Sequence, residues 1–193
     1  MLDLLRTRIE LAVTGGTFHD VNRRTYAIIS TGQLEITPAS SDAVTVFGAH
    51  GALAVDSGTA VVNGGSYTSS DYYGLYASND GLGQDPMQAL VTVNGGTFSG
   101  PNYSVWVGSD YNNPVNSTVR INGGVYQKPL NAQDNTREGA IVVAGGEFVA
   151  PVEDEYLLSG STTATLTPAD GAAARYFVGT PDSIATLLTQ AAQ

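Results

Sequence analysis

The sequence predicts an all-β chain wound into a parallel solenoid, and three features carry that prediction. An eight-residue pattern recurs along the chain, its apolar positions alternate strictly, and paired glycines follow five of the seven alternating runs. A repeat of this length that carries a single strand motif marks a coil that stacks on itself.

The copies read LAVTGGTF (11–18), AVVNGGSY (60–67), VTVNGGTF (91–98), VRINGGVY (119–126) and IVVAGGEF (141–148). Two degenerate copies, LEITPASS (34–41) and ATLTPADG (164–171), put Pro38 and Pro168 where the first glycine stands elsewhere. Together they predict seven units of 22 to 31 residues.

Each unit opens with a strand. One residue before the Asn/Thr position stand Val13, Ile36, Val62, Val93, Ile121, Val143 and Leu166. Two residues earlier stand Leu11, Leu34, Ala60, Val91, Val119, Ile141 and Ala164. The residue between them varies: Ala12, Glu35, Val61, Thr92, Arg120, Val142, Thr165. A period of two with one apolar face is a strand with a fixed inside and a free outside.

The corner comes next. Asn-Gly between apolar runs ordinarily signals a hairpin. Here every unit repeats the same strand in the same direction, so like columns must stack in parallel. Asn-Gly-Gly is therefore a corner of the coil, and Asn63, Asn94 and Asn122 are expected to form a side-chain ladder. Beyond the corner, Phe18, Tyr67, Phe98, Tyr126 and Phe148 make an aromatic column suited to the core.

A second strand is predicted at TYAIIS (25–30), YYGLYAS (72–78), YSVWVGS (103–109) and YLLSG (156–160), with length variation left to the loops between units. Alternation puts Tyr73, Leu75 and Ala77, and Tyr103, Val105 and Val107, inside. It points Tyr76 and Trp106 outward on adjacent coils, with Ile29 and either Val46 or Phe47 extending the stripe. The only convincing helix is TPDSIATLLTQAAQ (180–193), capped by Thr180, started by Pro181 and apolar along Ile184, Leu187, Leu188 and Ala191. The expected division is a β-helix over 1–179 and a capping or linker helix over 180–193. Segment 1–8 is suited to the front end.

Composition narrows the function. The 193 residues carry 18 carboxylates against eight basic groups, a net charge of −10, which disfavours nucleic acid and anionic membranes as partners. There is no cysteine, so thiolate metal sites and a cysteine nucleophile are excluded. No run of 18 apolar residues is present, and MLDLLRTRIEL lacks the apolar stretch of a signal peptide.

The repeat V-x-I-N-G-G-x-F/Y, followed by Y-x-aromatic-x-V, resembles the right-handed parallel β-helices of the pectate-lyase-like superfamily. It is closer still to repeat regions of large surface proteins of Gram-positive bacteria. The resemblance covers about residues 8–170 and implies a right-handed coil, an extracellular or cell-surface location, and a place in a longer chain. It also implies either an adhesive or spacer module or an enzyme acting on acidic polysaccharides.

The residues favour the first alternative. A lyase of that group needs a base beside calcium-binding acids, but Arg120 has only Thr92 and Val142 beside it in its column. The calcium nonapeptide needs an aspartate that no copy supplies. His19 and His50 fall in different coils, so no serine–histidine–aspartate arrangement can be drawn. No catalytic residue, metal ligand or cofactor is assigned. The candidate ligand-binding residues are Tyr76 and Trp106, as flat rings for a sugar, with Asp80 and Asp110 as nearby acids able to stack across adjacent coils. The expected partner is a glycan or a cell-surface protein, bound by a monomeric stalk or adhesive module. A polysaccharide-active enzyme and a phage tailspike-type fibre are the alternatives.

Overall fold

The computed structural model describes residues 10–79, 88–109, 115–134, 136, 138–168 and 172–191. They form a parallel β-solenoid of about five turns. The first two turns each hold three strands: β1 (Glu10–Val13), β2 (Gly16–Asp20) and β3 (Tyr26–Ser30), then β4 (Gln33–Ile36), β5 (Val44–Gly48) and β6 (Gly51–Val55). In the next two turns the corner is continuous strand, giving β7 (Gly58–Ser69) with β8 (Tyr73–Ala77), and β9 (Ala89–Ser99) with β10 (Tyr103–Val107). The fifth is β11 (Thr118–Ile121), β12 (Val125–Tyr126) and β13 (Leu130–Ala132), followed by the short β14 (Ile141–Val143) and β15 (Gly146–Phe148). One sheet wraps around the Asn-Gly-Gly corner. The other runs β3-β6-β8-β10-β13.

The predicted register holds from β1 to β14. Ile36 pairs with Val13 and Val62, Val93 with Val62 and Ile121, and Val143 with Ile121, all in parallel. These side chains are buried, while Glu35 and Arg120 in the intervening column are exposed. Leu11 is the departure at 51% exposed, because β1 is the edge strand of its sheet among the described residues.

The paired glycines do two different jobs. The second of each pair has positive φ, between 100° and 132° at Gly16, Gly65, Gly96, Gly124 and Gly146, which side chains rarely tolerate. The first is needed for close approach: a Cβ on Gly95, Gly123 or Gly145 would lie 2.5–2.9 Å from the carbonyl oxygen of the asparagine one turn before. Where Thr37-Pro38-Ala39 replaces the motif, a longer loop replaces the tight corner, and Ala43 O accepts from Gly16 N at 2.7 Å.

Inside the corner the rings stack along the rod. Tyr67–Phe98, Phe98–Tyr126 and Tyr126–Phe148 have centroids 4.8, 5.4 and 4.8 Å apart and planes within 11° of parallel. Val46 fills the same column between Phe18 and Tyr67. The two tyrosine hydroxyls donate to the carbonyls of Gly64 and Gly123, each at 2.9 Å, so neither polar tip is stranded in the core.

The far end departs from the repeat. ATLTPADG does not form a seventh parallel unit. Its β16 (Thr162–Leu166) runs antiparallel to β17 (Arg175–Gly179), and β17 lies antiparallel against β15. Ala164 and Leu166 are only half buried, because they belong to this hairpin and not to a coil. YLLSG is not a strand of the second sheet either. Asp154–Tyr156 forms a 3-10 turn, Leu157 makes a single bridge to Val143, and β13 supplies the fifth strand instead. The helix α1 (Pro181–Ala191) packs on the hairpin through buried Ile184, and Thr180 Oγ1 accepts from Ser183 N at 3.3 Å. Segment 1–8 lies outside the described residues.

Two outcomes follow. Val93→Asp should cost roughly 3–5 kcal/mol in urea melts, because an unpaired charge enters the core. Thr92→Asp, one position over, should cost under about 1 kcal/mol. The second outcome concerns pH. Burial raises the pKa of both Tyr67 and Tyr126, so the fold favours their neutral forms. That stabilisation is complete below the ordinary tyrosine pKa of about 10 and fades as the pH rises above it. The urea midpoint should therefore fall in alkali, and less steeply in a Tyr67→Phe/Tyr126→Phe variant.

Candidate functional site

The outer face of the second sheet carries a cluster of rings. Strict alternation would place Tyr73 and Tyr103 inside, yet both lie on this outer face. The chain bends at Gly74 and Ser104, so two successive residues point inward in each strand. A Cβ on Gly74 would lie 3.2 Å from Phe98 Cβ in the core, and Ser104 Oγ donates to Phe98 O at 2.7 Å. Leu75 and Val105 follow them inward. The bend returns Tyr73 and Tyr103 to the surface beside Tyr76 and Trp106.

The column through Tyr76 runs Ile29, Ala54, Tyr76, Trp106, Asn131. Ile29 extends the stripe as expected and is 52% exposed. Val46 and Phe47 do not, because they belong to β5 on the other sheet. Ala54 and Gly51 leave a shallow floor there, and the Tyr26 ring leans across it to stack on Tyr76 at 5.3 Å, with planes 5° apart. Tyr76 in turn stacks on Trp106 at 5.0 Å, and Tyr73 stacks on Trp106 at 4.7 Å. His50 and Tyr72 continue the cluster beside Tyr26: centroids are 5.0 Å for Tyr26–His50 and 4.5 Å for His50–Tyr72.

Stacking leaves little of the Tyr76 ring open to a ligand. Tyr76 points outward but is only 2% exposed, since Tyr26 and Trp106 both stack on it. Near-parallel rings spaced by about one coil repeat turn their faces to one another and their edges outward. A pyranose needs a free face. Trp106, half buried, is nearest to offering one, on the side where the next turn carries Asn131 and Gln133. Its indole lies over Gly108, where a Cβ would come 2.5 Å from Cζ2, and Gln133 Oε1 accepts from Ser109 N at 2.8 Å beside it. Tyr72 is 39% exposed. Asp80 and Asp110 lie outside the described residues.

The corner holds the second array of functional groups. Arg120 Nε donates to Asn122 Oδ1 at 3.0 Å, Asn122 Nδ2 to Asn94 Oδ1 at 2.9 Å, Asn94 Nδ2 to Asn63 Oδ1 at 2.7 Å, and Asn63 Nδ2 to Thr37 Oγ1 at 2.8 Å. Thr37 Oγ1 then donates to Glu35 Oε1 at 3.0 Å. The expected ladder is present and longer than the three asparagines. Arg120 can only donate and a Glu35 carboxylate can only accept, so the two ends orient every amide between them the same way. Arg120 is exposed, and this bond joins it to the ladder.

Elsewhere the described residues offer little chemistry. No three metal-binding side chains gather among them. His19 packs edge-on against Phe47, apart from His50. Asp20 accepts from the Thr25 hydroxyl and from Asn22 N, and these bonds lower its carboxyl pKa from the ordinary value. A small cavity of about 30 Å³ lies between Lys128, Leu130, Phe148, Pro151 and Tyr156, with room for water. Among the described residues no helix is long and apolar enough to cross a membrane.

The fold and this surface define a class: a parallel β-solenoid with an aromatic face on one side and an amide ladder along one corner. No protein-family model matches the chain, and neither the curated proteins nor the solved structures contain a match to it.

The ring cluster makes its own test. A Cβ on Gly51 would sit 2.3 Å from Tyr26 Cε1. Gly51→Ala should therefore expel the Tyr26 ring, cost about 1–3 kcal/mol in urea melts, and leave the far-ultraviolet circular dichroism unchanged. Acrylamide should quench the emission of Trp106, the only tryptophan, partially in the native protein and fully in urea.

Proposed function

We propose that this chain is a non-enzymatic β-helical module of a bacterial cell-surface or secreted protein. It serves as a rigid stalk or adhesive segment, with its aromatic face making contact to a glycan or a protein. The observation that carries this reading is continuity. A single hydrophobic core runs from Val13 to Phe148 with like residues stacked on like, and the backbone ladder beside it links every turn. Such a scaffold resists bending and changes little on binding, as suits a spacer.

Two further observations lend support. The aromatic side chains are locked by mutual stacking, so a partner meets a preformed surface at small entropic cost. Arg120, the one cation in the repeated outward column, is tied to Asn122 and not poised beside an acid. The face that offers contact is Tyr72, Tyr103, the indole of Trp106 and the amides of Asn131 and Gln133.

Glycan arrays and acidic polysaccharides test this reading together. The labelled protein should bind without turnover, and Trp106→Ala should lose the binding while keeping its melting temperature within a few degrees. Release of unsaturated uronates or new reducing ends from any polysaccharide would overturn the non-enzymatic reading.

A further inference from the structure

Three asparagines in this chain share one local sequence. Asn63, Asn94 and Asn122 are each followed by two glycines. All three are exposed, and all three belong to the corner ladder. We propose that Asn122 is a site of spontaneous covalent modification, converting to aspartate and isoaspartate ahead of the other two because Arg120 polarises its side-chain carbonyl.

The chemistry needs only the chain and water. The backbone nitrogen of Gly123 attacks Cγ of Asn122 and forms a new C–N bond. The bond from Cγ to Nδ2 breaks, and Nδ2 leaves as ammonia with the proton that the Gly123 nitrogen gives up. Water then opens the cyclic imide at one of its two carbonyls. One opening yields aspartate. The other yields isoaspartate, with one extra carbon in the backbone. Nothing is oxidised or reduced. A glycine after the asparagine presents no side chain to hinder the attack.

Because the tripeptides are identical, any ranking among them comes from structure. The backbone is alike at the three corners, where Gly65, Gly96 and Gly124 have φ of 100°, 107° and 104°. What singles out Asn122 is the donor on the carbonyl. Oδ1 of Asn63 and Oδ1 of Asn94 each accept from a neutral amide, while Asn122 Oδ1 accepts from the Arg120 guanidinium at 3.0 Å. Negative charge builds on that oxygen as the nitrogen adds, and a cationic donor stabilises it more than an amide does.

The product alters the ladder. A carboxylate at 122 has no N–H to give to Asn94 Oδ1, so the amide chain is cut next to its cationic end. The change accumulates with the age of the folded molecule.

The experiment compares three sites in one tube. The protein is held in mildly alkaline buffer at body temperature, sampled over weeks, and mapped by mass spectrometry with fragmentation that separates aspartate from isoaspartate. In the folded protein Asn122 should convert several times faster than Asn63 and Asn94. In urea the three should convert at rates within about twofold of each other. Arg120→Met should slow Asn122 towards the other two, with circular dichroism confirming that the variant is folded. Equal rates in the folded protein, or an Asn122 rate that Arg120→Met leaves unchanged or raises, would overturn the proposal.

Discussion

Everything in this molecule depends on like stacking on like in parallel register. A turn advances the rod by only about 4.8 Å, so each side chain meets its counterpart in the next turn almost face to face. The core is narrow enough that a column is filled by whatever repeats. Val62, Val93, Ile121 and Val143 fill one column, and the rings from Tyr67 to Phe148 fill another. The corner obeys the same rule. Two glycines recur there because one must let the preceding turn's carbonyl approach and the other must take a backbone angle closed to side chains. Polar groups follow suit, since an amide above an amide is self-complementary.

That rule explains which parts of the structure were legible in the sequence. A column announces itself when period two meets a repeat, so the first strand, the corner, the aromatic stack and the asparagine ladder could all be read from spacing. The degenerate unit at Leu34 was legible too, since Leu34, Glu35 and Ile36 keep the pattern even where Pro38 replaces glycine. Reading failed where the period breaks. Gly74 and Ser104 turn two consecutive residues inward, and this moved Tyr73 and Tyr103 to the opposite face from the one alternation assigns. Neither residue advertises a bend, because glycine and serine are equally at home in a flat strand.

The candidate site was half legible for a related reason. The outward column through Tyr76 and Trp106 follows from parity alone. That Tyr26, two turns away, would lean across Gly51 and take one face of Tyr76 depends on the absence of a side chain in the turn between. A one-dimensional reading sees the rings but not the gap that lets them meet. The end of the coil posed the opposite difficulty. Thr162–Leu166 has the alternation of a repeat strand, and only its antiparallel pairing with Arg175–Gly179 separates it from a further turn.

That reversed hairpin makes the rod polar in the sense that a staircase is. A parallel turn is a template for another parallel turn, because it presents evenly spaced donors and acceptors along its edge. An antiparallel pair sets its bonds in alternating close and wide spacings, so the register of the coil is not continued through β17. With β17 lying reversed against β15 and β16 outside it, the like-on-like columns stop at β15, and α1 packs on the hairpin beyond. A copy docked against this face would meet a hairpin in place of another turn. The hairpin thereby interrupts the like-on-like stacking on which open-ended cross-β growth relies.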